Sequence, residues 1–188
     1  GVSVTRGTGT ALAVSWQAVA AATGYVIERS EDGVDFADAG TASAAATTWT
    51  DSSLTDSMRT FYRVRATDTV GRSVPSAIVN AINRPGAVTN AAVTSLSISQ
   101  LVLNWRDRSG DSGYRIERST DNVTFTQIAT VGTNVPSYSA TGLSVGTSYW
   151  FRVTPMSPYG DSVSTVVSGS TRLQAVGSMS FTSKTSSL

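Results

Sequence analysis

Trp16 recurs 89 residues later as Trp105, and the same offset carries Gly24-Tyr25 to Gly113-Tyr114 and Glu28-Arg29-Ser30 to Glu117-Arg118-Ser119. Phe36 and Phe125, Leu54 and Leu143, Arg63-Val64 and Arg152-Val153, and Gly71 and Gly160 keep that register without a gap. A period of this size is too long for a solenoid unit and fits a small domain. The 188 residues therefore divide into a first unit over 1–84 and a second over 85–173. Residues 174–188 repeat the polar, Ser/Thr-rich character of 85–100 and read as the truncated start of a third repeat or an extended tail. A unit of under about 100 residues buries only about 60% of its unfolded surface, so its core is thin and leaves no room for a large catalytic cavity.

Within each unit, short alternating runs are separated by Gly, Asp, Asn, Ser and Thr, and no stretch of helical period competes with them. Leu12, Val14 and Trp16 alternate on one strand, as do Leu101, Leu103 and Trp105 on its counterpart. Tyr25 and Ile27, then Tyr114 and Ile116, do the same on the next strand. Asp32-Gly33 falls where a two-residue hairpin turn with positive φ is needed, and Asp121-Asn122 occupies the same place in the second unit. About seven short strands per unit, with turn signals every 8–12 residues, predict two consecutive seven-stranded antiparallel β-sandwiches, an all-β, immunoglobulin-like architecture.

An inward Trp on the second strand, G-Y-x-I-E-R-S on the third, and Y-W-F-R-V with a following G-D-S on and after the sixth resemble the fibronectin type III family over residues 1–173. The run E-R-S-x-D-x-V-x-F is similar to versions found in bacterial secreted or surface multidomain proteins. The resemblance implies a tyrosine on the sixth strand whose hydroxyl bonds back to the preceding loop. Tyr149 matches it in the second unit, but Thr60 stands there in the first. The loop from Asp51 to Arg59 must then be held by other means, and the first domain is expected to be the less stable. The short junction Asn83-Arg84-Pro85-Gly86-Ala87 is a boundary rather than a tether, so the sandwiches should stack end to end with limited bending.

The sequence contains no cysteine and no histidine, which removes Ser-His-Asp triads, Cys-His pairs and the usual His/Cys zinc sites. Fourteen basic and 13 acidic residues are spread along the chain with a net charge of +1, so no basic cluster awaits a nucleic acid. No run approaches the roughly 20 apolar residues of a membrane span. Glu31, Asp32, Asp35 and Asp38 form the densest acidic group, but their spacing fits no Ca²⁺ loop and reads as a solvated hairpin. Glu28 and Glu117 should pair with Arg63 and Arg152 on the neighbouring sixth strands, which leaves no carboxylate dyad for glycoside hydrolysis. Arg108-Ser109-Gly110-Asp111 departs from an integrin-type Arg-Gly-Asp by its serine and reads as a turn. No enzyme, cofactor or metal is expected.

One face stands out as a candidate for binding. Tyr149, Phe151 and Val153 share a parity and point inward, so Trp150, Arg152 and Thr154 should point to solvent. Arg115 and Arg152 are expected to stack on the Trp150 ring. The alternative is that Trp150, with Met156 and Tyr159 just beyond it, forms an aromatic platform, Phe61 holding the matching position in the first unit. Two functions follow. The first is a non-catalytic, extracellular spacer or adhesive segment of a larger surface, secreted or filament-forming protein, whose partners are the neighbouring domains of its own polypeptide. The second is a recognition module that binds surface polysaccharide or other protein copies through the outer face of the third, sixth and seventh strands and the loop after the sixth.

Overall fold

The computed structural model describes residues 1–162, 164–175 and 177. The described residues form fourteen strands and no helix. The first sandwich consists of β1 (Val2–Arg6), β2 (Leu12–Trp16), β3 (Gly24–Ser30), β4 (Ala37–Ser43), β5 (Thr48–Asp51), β6 (Arg59–Thr67) and β7 (Val79–Ile82). The second repeats it with β8 (Thr89–Ser95), β9 (Leu101–Arg106), β10 (Gly113–Ser119), β11 (Thr126–Val131), β12 (Ser137–Ala140), β13 (Ser148–Met156) and β14 (Thr165–Ser170). Each sandwich packs a three-stranded sheet, β1-β2-β5 or β8-β9-β12, on a four-stranded one, β4-β3-β6-β7 or β11-β10-β13-β14, and every pairing is antiparallel. Most of the tail expected over 174–188 lies outside the described residues.

The alternation read from the sequence is the burial pattern of the cores. Leu12 and Val14 are fully buried, and Trp16 and Trp105 are each 6% exposed at equivalent places. Each Trp ring meets the tyrosine of the next strand, Tyr25 or Tyr114, at 5.2 Å between centroids. Two positions of the repeat depart from expectation. Asp32-Gly33 is not a two-residue hairpin, because β3 and β4 are separated by residues 31–36. The Ser30 and Asp32 side chains accept from the amides of Gly33, Val34 and Asp35, and this side-chain scaffold supports the longer loop. Within these two loops, positive φ falls on one residue each, Gly33 at 80° and its counterpart Asn122 at 61°.

The offset of 89 does not hold to the end of the unit. Arg59 pairs with Ile82, whereas its counterpart Ser148 pairs with Ser170, so the last strand has slipped by one residue. Asn83 and Arg84 therefore correspond to Thr171 and Arg172. The hydrogen bonds agree: Asn83 accepts from Met58 N and donates to the Thr55 carbonyl, while Thr171 accepts from Thr147 N and donates to the Ser144 carbonyl.

The missing tyrosine of the first unit is replaced by a buried polar network. In the second sandwich the Tyr149 hydroxyl accepts from Ser144 N at 3.0 Å, as the family resemblance implies. In the first, Asp51 is 1% exposed and accepts from the Tyr62 hydroxyl and the Arg29 guanidinium, both at 2.9 Å, and from Ser53. The corresponding residues of the second unit, Ala140 and Phe151, are apolar. Asn83, fully buried, ties Thr55 and Met58 to the Thr10 carbonyl. Burial pushes the Asp51 carboxyl up, but the donors from Arg29, Ser53 and Tyr62 outweigh it and hold it below its usual range. Burial and the Asp51 charge push the Tyr62 phenol well above its own.

Removal of Asp51 leaves Tyr62 and Arg29 without their acceptor in a closed site, so Asp51→Ala should destabilise the first sandwich by roughly 2–3 kcal/mol. Tyr149→Phe, which removes one neutral hydrogen bond, should cost the second about 1 kcal/mol. Urea unfolding followed by amide signals of each sandwich separates the two effects.

Candidate functional site

Strands β3 and β6 pair Glu28 with Arg63, and β10 and β13 pair Glu117 with Arg152, as the sequence pattern requires. Glu28 is 6% exposed and accepts from Arg63 Nε and, at 2.9 Å, from Arg65 Nε. Glu117 lies 3.7 Å from Arg152 and 3.9 Å from Arg115. A second repeated contact crowns each pair: Arg63 lies 4.2 Å over the Phe36 ring, and Arg152 lies 3.9 Å over Phe125. The carboxylates of this face are thus neutralised by arginines rather than paired with one another, and acid–base hydrolysis would need two of them facing one cleft.

The residues of the candidate face lie apart in the structure. Arg152 stacks on Phe125, just before β11, and Arg115 reaches Asp161 in the loop after β13, so the two do not meet on Trp150. Thr154 is 2% exposed rather than open to solvent, because Arg115 lies opposite it and bridges to that loop. Trp150 is half-buried beside Ser119 and Ser168. Met156 lies six residues further along the same strand, roughly 20 Å away at the usual rise, and faces Gly113. Phe61 lies beneath the loop after β3, where a Cβ on Gly33 would stand 3.1 Å from its ring. Tyr159 belongs to another site altogether.

That site is the joint between the sandwiches. Asp56 Oδ1, in the loop before β6, accepts from Gly86 N at 2.9 Å and from Arg108 at 2.6 Å. The Asp56 side chain is 12% exposed and that of Arg108 22%, so the pair is largely shielded from water. The Ser57 hydroxyl donates to the Gly110 carbonyl at 3.3 Å. Gly110 has φ 71°, and a Cβ there would collide with the Ser57 side chain, while one on Gly86 would collide with Arg108. Arg84 donates to the Tyr159 carbonyl at 3.3 Å, and Arg6 lies 5.1 Å over the Tyr159 ring. The Arg-Ser-Gly-Asp turn read in the sequence is therefore a docking loop. Its signal lay in the repeat itself, because Arg108 and Asp56 correspond to Val19 and Val145, where the units differ.

The acidic loop residues are committed locally. Asp32 accepts from Val34 N, the Ser30 hydroxyl and Asp35 N, which draw its carboxyl down to about 2. Asp121 repeats this with Ser119, Val123 and Thr124, also at about 2. Asp38 forms a two-point pair with Arg72 at 2.7 and 2.8 Å.

No family model matches the chain. A Drosophila melanogaster protein named Titin is 26% identical over 107 residues, which span 54% of this chain and 1% of that protein. A Ralstonia pickettii poly(3-hydroxybutyrate) depolymerase is 36% identical over 115 residues, spanning 61% of this chain and 22% of the enzyme. The chain thus covers only a small part of the length of either relative. Among solved structures, a two-domain fibronectin type III segment of chicken tenascin superposes with a TM-score of 0.53 at 15% identity, covering 91% of this chain and 98% of the other. The chain has the fold of two fibronectin type III domains in tandem.

Because Asp32 and Asp121 have lowered pKa values when folded, their contribution is complete above the unfolded value near 3.9 and is lost as pH falls through about 2. In an NMR titration both carboxyls should titrate near pH 2, and Ser30→Ala and Ser119→Ala should each shift the local carboxyl upward. Ordinary titration near 4 in the wild type would show that the loop scaffold is absent.

Proposed function

We propose that the chain is a non-catalytic spacer: two sandwiches that hold flanking parts of a larger extracellular, surface or secreted protein at fixed distance and orientation. The observation that carries this is the joint. One carboxylate oxygen, that of Asp56, binds the linker and the next domain together. Two glycines admit contact closer than any side chain would allow. A flexible tether needs none of these contacts, and a stiff strut needs all of them.

Two further observations support the reading. On the outer faces of the four-stranded sheets, Glu–Arg and Arg–aromatic contacts within each domain already satisfy these side chains. The match to the depolymerase leaves most of that enzyme unaccounted for, which suits a module reused beside a catalytic part. The contact of Tyr159 with Arg6 in the joint, and the distance of Trp150 from Met156 along β13, favour the spacer over recognition through that face.

Small-angle scattering of the wild-type chain should fit a single extended arrangement. Arg108→Ala should broaden it, and because it leaves the Asp56 carboxylate without its arginine it should also lower the stability of the first sandwich by about 1–3 kcal/mol while leaving the second unchanged. A wild type that already samples a wide range of interdomain angles overturns the spacer reading.

A further inference from the structure

Asp32-Gly33 is the one place in the 188 residues where a glycine follows an aspartate or an asparagine. An amide nitrogen can attack the side-chain carbonyl carbon of the residue before it, and glycine, having no Cβ, hinders that ring closure least. The loop favours glycine all the same, since φ there is 80° and a Cβ would press on the Phe61 ring at 3.1 Å. A labile bond thus stands in a surface loop whose aspartate is exposed to water. We infer that Asp32-Gly33 is a latent site of backbone isomerisation, which the Ser30 hydroxyl keeps shut in the folded loop.

The chemistry defines what has to be shut. Gly33 N bonds to Asp32 Cγ, a C–O bond of the protonated carboxyl breaks, and the amide hydrogen leaves with that hydroxyl as water. The product is a cyclic succinimide. A second water opens the ring at either carbonyl. Attack at Cγ restores Asp32, whereas attack at the main-chain carbon leaves Gly33 joined through Cγ, with a free α-carboxylate. No oxidant takes part. Ring closure therefore needs an amide free to turn toward the side chain and a carboxyl that carries its proton.

Ser30 withholds both. It is 3% exposed, and its Oγ accepts from Gly33 N at 2.9 Å while donating to Asp32 Oδ1 at 2.7 Å. The same Asp32 oxygen accepts from Val34 N at 2.8 Å and from Asp35 N at 3.0 Å. Donors to the ionised form favour it, and a carboxylate is a poor target for an attacking nitrogen. Isomerisation, once it has occurred, adds a methylene to the backbone and makes Cγ part of the main chain. Oδ1 is then lost to those amides, so the loop cannot close again in its original form over Phe61. The second sandwich has the same scaffold, in which Ser119 Oγ accepts from Asn122 N at 2.9 Å and donates to Asp121 at 2.6 Å. There the side chain of Asn122 crowds the ring closure, so only the first loop holds a labile bond under this scaffold.

The folded chain and the same chain in urea, incubated in parallel at mildly acid pH, test this. Isoaspartate at residue 32 is read by peptide mapping with fragmentation that separates the two linkages. The unfolded chain should accumulate it at least about tenfold faster than the folded one. Folded Ser30→Ala should approach the unfolded rate, and adding Gly33→Asn should slow it again. Ser119→Ala should form no more isoaspartate at residue 121 than the wild type, which separates the chemistry of the bond from loss of loop order. Equal rates in the folded and unfolded wild type overturn the inference, as does a folded Ser30→Ala chain that isomerises no faster than the wild type. If Ser30→Ala does not fold, the folded and unfolded wild type still decide whether the loop shuts the bond. Neither result bears on the spacer reading, which stands or falls on the joint.

Discussion

Asp56 Oδ1 accepts from two donors, and neither belongs to the loop that carries it. One is the amide of Gly86 in the linker, and the other is the guanidinium of Arg108 in the second sandwich. A partly buried carboxylate of this kind is held only while both donors stay in place, since the loss of either leaves a charge short of solvation. The loop before β6, the linker and the loop after β9 therefore order one another. In the first sandwich, where Thr60 replaces the tyrosine that usually anchors that loop, this interdomain contact adds to the Asp51 and Asn83 networks that hold the same loop from within.

Strand parity accounts for most of what the sequence makes legible. Pairing of β3 with β6, and of β10 with β13, sends Tyr25, Ile27, Tyr62 and Val64 and their counterparts inward and puts Glu28 opposite Arg63 and Glu117 opposite Arg152 on the outside. Period-two patterning and a repeat are enough to read those positions, because burial on one face of a sheet admits only one register. The same reasoning extended to Thr154 fails, because its burial comes from the Arg115–Asp161 bridge, and the Asp161 end of that bridge lies in an aperiodic loop.

The joint was not legible for a related reason. Arg108, Gly110 and Tyr159 sit in loops whose shape no periodicity fixes, and their partners come from 50 or more residues away in the other sandwich, as in the Ser57–Gly110 and Arg108–Asp56 contacts. Tyr159 looked like part of a surface platform only because it follows Trp150 in sequence; the strand between carries the two to opposite ends. The slip of one residue before β14 was hidden because the Ser-, Thr- and Val-rich segment there resembles itself at either offset. What the sequence did hold was the contrast between repeats, since positions where two otherwise matching units differ in charge are the ones that meet different neighbours.

The second sandwich holds the loop of the first. Hydrogen exchange over residues 54–58, compared between the wild type and Arg108→Ala, tests it most directly. Protection in this segment should fall in the variant while the amides of β3 and β6 exchange as before. Unchanged protection of residues 54–58 would contradict it and make the joint a mere contact between two independent domains.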